Sequence, residues 1–456
     1  MASKRDLVEA HAYNRRRLVS AFVSGAPGGR EVESVSRTKP VVAGVALAAV
    51  VLGGAAIAGF LNPALPDGWD DAKVIIGKSS AARFVAVKGT LYPVLNATSA
   101  RLQLPSNTGF QVIVVDDDKI AASPRGPARG ILGAPDDLPP AKALLQTGWV
   151  SCLAPTGSVT TIATGPGVTA DPAGGVVVRT QSGLTLLAGG YRYGIPEALG
   201  ANILRVLGKD KSDPLPAPGA WVDLFTDGRG LRFALPASIT TATPLPPSLT
   251  LGGKVKRVGQ LIRNASVNNA PSVVLEDGTA ALSDFAAAIY SVQAPPELAA
   301  PVSVTNDDLA KVQQSRQTNS FFPATWPRDK PADARGAPCA VLDTTEEKPA
   351  TTRIMFAAPE SPWVTQKTAV SVEPGRGALV RASSTGAPSG PVYVIDQSGQ
   401  KFAITDPSEE TLTRLGYQGV TPRIVPAPWM GPFASGPALN EQAALASVSS
   451  SSPAGP

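Results

Sequence analysis

Four features of this 456-residue chain could do chemistry: a phosphate-loop-like run, an acidic triplet, two cysteines and a single histidine. Ala72-Lys73-Val74-Ile75-Ile76-Gly77-Lys78-Ser79 matches the phosphate-loop pattern except that Ala72 replaces the first glycine. A working loop wraps phosphates with free backbone and opens a helix after a strand. Val74, Ile75 and Ile76 instead read as a strand ending in a turn. Lys78 and Ser79 are therefore kept only for an alternative, nucleotide-binding reading. Asp116-Asp117-Asp118 follows apolar Val112–Val115. A hard cation needs oxygens from several points of a fold, so one acidic run reads as a solvated turn. His11 is the only histidine and lies near the start. The rest of the chain therefore cannot form a Ser-His-Asp, Cys-His or His-zinc site. No Gly-x-Ser-x-Gly elbow occurs. No catalytic residue, metal ligand or cofactor is assigned.

The elements that would position these residues begin with one uncharged apolar run, Val41 to Leu61. At ~1.5 Å per residue its helix would measure roughly 31 Å, about the hydrocarbon thickness of a bilayer. The run predicts a single membrane span over residues 40–62. Residues 1–39 hold 8 Lys/Arg against 4 acids, whereas the remainder holds 33 against 32. Positive charge stays in the cytoplasm, so the N-terminus is expected inside and the large domain outside. The near-neutral remainder offers no electrostatic case for nucleic acid. A cleaved signal peptide is the rival reading, with Ala56-Ile57-Ala58 before Gly59 as its cleavage site. The long leader and long apolar run favour the anchor. A buried helix of a soluble protein is weaker, because Gly44, Gly53, Gly54 and Gly59 suit membrane spans better than water-exposed helices.

The leader reads as a helix with Leu7, Val8, Leu18, Val19, Phe22 and Val23 near 3.6 spacing, stopped by Gly25-Ala26-Pro27-Gly28-Gly29. Arg15, Arg16 and Arg17 interrupt its apolar stripe. They suit either a solvated, headgroup-facing stretch or a docking helix for a cytoplasmic partner. Cys152 and Cys339 both lie beyond the span. In an oxidising compartment two such thiols commonly pair; two unrelated buried thiols are the other reading.

Beyond residue 62 short β-like runs alternate with Gly- and Pro-rich turns: 83–87, 111–115, 148–153, 176–179, 271–275, 353–356 and 391–395. Helix-like stretches are few, notably 282–290 and 408–415. An internal repeat organises this region. Gly175-Val-Val-Val-Arg179 parallels Gly377-Ala-Leu-Val-Arg381, and the Gly190–Ile195 run with Tyr193 parallels Gly399–Ile404 with Phe402. Trp221–Leu231 parallels Trp429–Leu439, with Trp, Phe, Gly and Leu at identical spacing. Shorter echoes fall at Gly89–Val94 and, keeping little beyond the turn, at Glu276–Thr279. Tyr193, Trp221, Phe402 and Trp429 are read as core positions rather than a ligand box. One cysteine precedes each long copy, which suggests two related halves joined by one bridge.

The start Ser3-Lys4-Arg5-Asp6-Leu7-Val8-Glu9-Ala10-His11 with Arg15-Arg16-Arg17-Leu18-Val19, the single span, the two outer cysteines and the Gly-x-x-[Tyr/Phe] repeats resemble EccB, a membrane core component of the type VII (ESX) secretion system of actinobacteria. The resemblance covers nearly the whole chain. It implies an elongated outer domain with a central core and peripheral repeats. It also implies partners in a multimeric complex: the EccC motor ATPase, EccD, EccE and the mycosin protease, with hetero- and homo-oligomers. Family members are also described as ATP-hydrolysing, which makes ATP a ligand under the alternative only.

The expected fold is mostly β (α+β), with a disulfide-braced pseudo-two-fold core. The expected divisions are 1–39 leader, 40–62 span, 63–135 first repeat, 136–174 and 311–376 core, 175–250 second repeat, 251–310 third, 377–440 fourth, and a disordered tail at 441–456. The expected function is structural, bracing a secretion channel outside the membrane. The alternatives are a membrane-anchored nucleotide hydrolase and an anchored cell-envelope binder.

Overall fold

The computed structural model describes residues 4–24, 38–61, 65–155, 157–164, 174–211, 213–317, 321, 323–333, 335–343, 350–358, 360–365, 368–384 and 387–448. The chain divides into two units, residues 1–66 with 118–123 and residues 67–117 with 124–456.

The first unit holds the helices Lys4–Ser24 and Thr38–Leu61 and most of a short helix, Asp117–Ala121. The glycine-rich stop expected at Gly25–Gly29 lies outside the described residues. The apolar run Val41–Leu61 falls wholly within the second helix, whose side chains are described as far as Gly53. Among the described residues no helix is long and apolar enough to cross a membrane.

The second unit builds one sheet pattern four times. In the first, β1 (Lys73–Gly77), β2 (Arg83–Val87) and β3 (Thr90–Pro93) form an antiparallel meander. A helix, Ala97–Gln103, then carries the chain to β4 (Val112–Val115), which pairs parallel to β1. Asn96 caps that helix by accepting from the Ser99 N–H. Arg125 and Arg129 then bridge, in parallel, to Leu91 and Val94 beside β3. A central hairpin follows, β5 (Trp149–Ala154) and β6 (Gly157–Ile162).

The second copy is β7 (Gly174–Thr180), β8 (Gly183–Ala188) and β9 (Tyr191–Ile195), a helix at Gly200–Leu207, then β10 (Leu215–Pro216) parallel to β7 and β11 (Thr226–Asp227) parallel to β9. The third is β12 (Leu261–Asn264), β13 (Ala270–Leu275) and β14 (Gly278–Ala281), a helix at Asp284–Ser291 capped by Ser283, then β15 (Val302–Val304) parallel to β12. Gln314 closes it by a parallel bridge to Thr279.

After β16 (Ala332–Asp333), which pairs with β7, come the second central hairpin β17 (Ala337–Asp343) and β18 (Thr351–Ala357), and then β19 (Val370–Val372). The fourth copy is β20 (Ala378–Ser383), β21 (Val392–Ile395) and β22 (Gln400–Ile404), a helix at Glu409–Arg414, then β23 (Arg423–Pro426) parallel to β20 and β24 (Ala434–Ser435) parallel to β22.

The central sheet runs β18-β17-β5-β6-β19. Its four inner strands, β6-β5-β17-β18, are unchanged by a two-fold axis between antiparallel β5 and β17. Buried side chains join the second copy to the third, through residues such as Tyr193, Phe233, Phe285 and Tyr290. Others join the first copy to the fourth, through Leu102, Ile131, Leu379 and Phe402. The second and fourth both pack on the central sheet. The halves therefore cross: the first copy precedes the second in sequence but packs on the fourth.

Three expectations need correction. The third copy is complete rather than a remnant turn, and it reaches Ser315. The described residues of 311–331 do not join the core; Phe321 and Trp326 pack against Phe233 between the second and third copies, each with ring centroids 5.0 Å away. The chain does not fray from 441. Asn440 caps a helix at Glu441–Leu445, and the Val448 N–H donates to the Ala128 carbonyl at 2.9 Å. Residues 449–456 lie outside the described residues.

Candidate functional site

Two places hold chemistry-capable residues, and local structure commits them differently. The first is the turn after β1. Parallel pairing of β1 with β4 sets Lys78-Ser79 beside Asp116-Asp117, two runs that lie far apart in sequence. The Asp117 carboxylate accepts from the Ser79 N–H at 2.9 Å, the Ser80 N–H at 3.3 Å and the Ser80 hydroxyl. The Lys78 N–H goes to the Val115 carbonyl, Gly77 to Ala82, Ala81 to Gly77, and Ala82 to the Ser80 hydroxyl. Every backbone N–H from Gly77 to Ala82 thus has an internal acceptor.

A phosphate cradle needs those donors free and a helix behind them. Here a carboxylate takes the anion's place, and the chain turns straight into antiparallel β2. A side chain on Gly77 would meet Asp117 and Ser80 at 2.3 and 2.5 Å, so the packing is closed as well as the bonding. The Ser80 hydroxyl, then the Ser79 backbone, hold the Asp117 carboxyl below the usual carboxylate range. Lys78 reaches Asp116 at 3.7 Å with both side chains well exposed, 71% and 64%, so the pair contributes little. Among the described residues no group of three or more His, Cys, Asp or Glu could hold a metal ion.

The second place is the centre. Cys152 on β5 lies directly opposite Cys339 on β17, and the two form a buried disulfide at a Cα separation of 3.9 Å. Strand alternation sets Val150, Cys152, Ala154 and Cys339 on one face with Val159, Ala357 and Val364. The other face presents Trp149, Leu153, Ala340 and Leu342 to both long copies. Trp221 donates its indole N–H to the Ser151 carbonyl at 3.0 Å, and Trp429 donates to the Thr352 hydroxyl at 2.9 Å. Trp149 meets Trp429 and Phe433 edge-on at 6.1 and 5.6 Å, and Trp221 meets Phe225 at 5.5 Å. Each such aromatic pair is worth about 0.5–1.5 kcal/mol beyond its buried area.

Tyr193 and Phe402 are buried on the third strands of their copies. The Tyr193 hydroxyl donates to the Thr325 carbonyl at 2.5 Å, and burial pushes its pKa up. Each ring abuts one glycine. A Cβ on Gly228 would come within 2.3 Å of the Tyr193 ring, and one on Gly436 within 2.2 Å of Phe402. The first copy repeats this with Gly126 and Tyr92 at 2.2 Å. The aromatic-to-glycine spacing of 34 or 35 residues was the available sequence signal. In the third copy Ala280 and Ser315 stand at the same topological positions, again 35 apart. Arg15, Arg16 and Arg17 lie exposed on the first helix.

Cysteines and large aromatics spent on joining sheet copies, and a loop whose donors are internally used, describe a structural scaffold. The chain belongs to the family described as "Type VII secretion system ESX-1, transport TM domain B", whose profile matches residues 1–451. It is 27% identical over 487 residues to the ESX-2 secretion system ATPase EccB2 of Mycobacterium tuberculosis, covering 97% of this chain and 94% of that protein. It is 29% identical over 304 residues to the ESX-5 secretion system ATPase EccB5 of Mycobacterium marinum, covering 63% of this chain and 57% of that one. Among solved structures the fold is shared with a chain of an intact ESX-5 inner membrane complex, at a TM-score of 0.63 and 24% identity over 99% of this chain and 96% of that one. It is also shared with the EccB3 dimer from the ESX-3 core complex, at 0.65 and 22% over 82% and 100%.

Proposed function

We propose that this chain is a structural component of an ESX-type inner membrane complex, spanning the membrane once. The leader lies in the cytoplasm and the four sheet copies lie outside, where the disulfide-braced centre holds them as one brace for the channel. The observation that carries this reading is the continuity of the family match, which joins leader, apolar helix and all four copies in residues 1–451. The excess positive charge of residues 1–39 supports the inward N-terminus, and the disulfide supports an oxidising outer compartment. The partners in this reading are the EccC motor ATPase, EccD, EccE and the mycosin protease, together with further copies of the chain. Arg15, Arg16 and Arg17 are the docking residues of the leader.

Nucleotide hydrolysis is the second reading, because relatives carry ATPase in their names. Lys78 and Ser79 would serve it, and the internally bonded Gly77–Ala82 turn weighs against it.

Deleting residues 1–24 while keeping the apolar helix tests the proposal. The shortened protein should insert and fold, yet fail to co-purify with the complex or support export. Normal assembly would remove the leader's role. Reporter fusions at Gly29 and Pro456 should be active inside and outside respectively; an N-terminus at Gly59 in the native protein would mark a cleaved signal instead.

A further inference from the structure

The second copy carries two arginines that the shared fold does not require. Aligned on Gly126, Gly228 and Gly436, the next residue is Pro127, Arg229 and Pro437, and the fourth is Gly130, Arg232 and Asn440. The third copy has Arg316 at the first of these places. The same sheet is therefore built with proline where the second copy has Arg229. Arg229 also sits at φ +66°, a left-handed backbone that side-chain-bearing residues rarely adopt. Asp227 holds it there by accepting the Arg229 N–H at 3.0 Å. Strained, exposed and dispensable to the fold, this arginine calls for a role outside packing.

Arg229 and Arg232 line one open groove of about 520 Å³ beside the end of β9. Neither guanidinium has a hydrogen bond or ion pair among the described residues. Ile195, Pro196, Phe321 and Pro323 supply apolar lining, and among the described residues the two arginines are its only polar side chains. Two planar guanidiniums suit carboxylates, which they bind through paired N–H donors. The apolar lining suits short aliphatic side chains next to those carboxylates. A glycan would ask for amide or carboxylate side chains to bond its hydroxyls, and none lines the groove among the described residues. A bare phosphate would leave the apolar lining unused.

We propose that this groove binds an acidic peptide segment, Arg229 and Arg232 pairing with its carboxylates while Ile195, Pro196, Phe321 and Pro323 receive flanking apolar side chains. The inference goes beyond the scaffold reading and does not depend on its topology.

The test uses the full chain in detergent micelles and fluorescence anisotropy. The probe is a labelled Leu-Glu-Val-Asp-Leu peptide, with Leu-Gln-Val-Asn-Leu as its neutral twin. The acidic probe should bind, and the neutral twin about tenfold more weakly or worse. Arg229→Gly with Arg232→Ser should weaken the acidic probe by about tenfold or more without lowering the melting temperature, because glycine accepts the left-handed backbone. Should that double variant melt early, Arg232→Ser alone must still weaken binding. Absent binding, equal binding of the neutral twin, or unchanged binding by a correctly folded variant would overturn the proposal. So would displacement of the probe by equimolar inorganic phosphate or by vesicles of anionic lipid, which would make this a general anion surface.

Discussion

The central sheet and the Gly77–Ala82 turn both hold residues that the sequence marks as chemically able, and the fold uses them up in different ways. At the centre, Cys152, Cys339, Trp149, Trp221 and Trp429 are buried, and each joins strands or copies remote in sequence. At the turn, Lys78 is exposed and Asp117 closes a loop on its own sheet. Burial and the reach of each contact, not residue type, separate an indispensable group from a replaceable one. The largest energetic consequences should therefore lie at the centre.

Trp429→Ala should be the most damaging single change. It removes the edge contact with Trp149 and leaves the buried Thr352 hydroxyl without its indole donor. A loss of about 3–5 kcal/mol is expected, read from urea unfolding. A loss below about 1 kcal/mol would mean that the fourth copy is not anchored through this ring.

Replacing both Cys152 and Cys339 with serine comes next. The bridge spans 187 residues of sequence and ties the two central hairpins. Its removal should cost about 2–5 kcal/mol. Thiol labelling of the unfolded, unreduced wild type should find no free thiol; two reactive thiols would remove the bridge from the account.

A smaller effect should follow Gly436→Ala, because a Cβ there enters the Phe402 ring. Overpacking of this kind costs about 1–3 kcal/mol. Adding Phe402→Ala should recover part of that loss, since the third copy pairs Ala280 with Ser315 in the same place. Strict additivity of the two changes would show that ring and glycine do not share one space.

The smallest effect belongs to the turn. Hydrogen bonds hold the folded Asp117 carboxyl below its ordinary value, so its contribution is present above the usual carboxylate range and fades as pH falls through the lowered folded value. Asp117→Asn should flatten that acid limb of the stability profile by lowering stability slightly at neutral pH, with the two proteins converging in acid. An unaltered acid limb would show that Asp117 does not hold the turn.

Much of this architecture was legible where the signal is local. The β-like runs at 83–87, 271–275 and 353–356 lie in β2, β13 and β18, because alternating β-branched residues between turns report strands directly. The cysteine pairing was readable from compartment and count, and the disulfide is present. The third copy was legible only as a turn and one strand within 251–310, because its sheet is set by backbone pairing while its aromatic and glycine are exchanged for Ala280 and Ser315. The strand at 111–115 was legible as β4, but the parallel pairing of β4, β10, β15 and β23 was hidden, because pairing across tens of residues leaves no local pattern. The helix-like stretches at 282–290 and 408–415 stand as Asp284–Ser291 and Glu409–Arg414, whereas Gly200–Leu207 opens on a glycine with no side-chain cap to announce it. The ending was misread because its Ala-Ser composition suggested fraying, whereas Asn440 caps an alanine-rich helix. At the candidate site, Lys78 and Asp117 were each visible alone. Only the β1–β4 pairing shows the carboxylate occupying the turn.

Export assayed side by side in strains carrying Lys78→Ala or the Cys152→Ser, Cys339→Ser pair tests the scaffold claim most directly, with protein level and complex assembly measured in the same cells. The account predicts that Lys78→Ala exports normally, whereas the cysteine pair lowers assembly and export together. Loss of export in Lys78→Ala at normal protein level and normal assembly would contradict it and assign the chain a nucleotide-dependent activity.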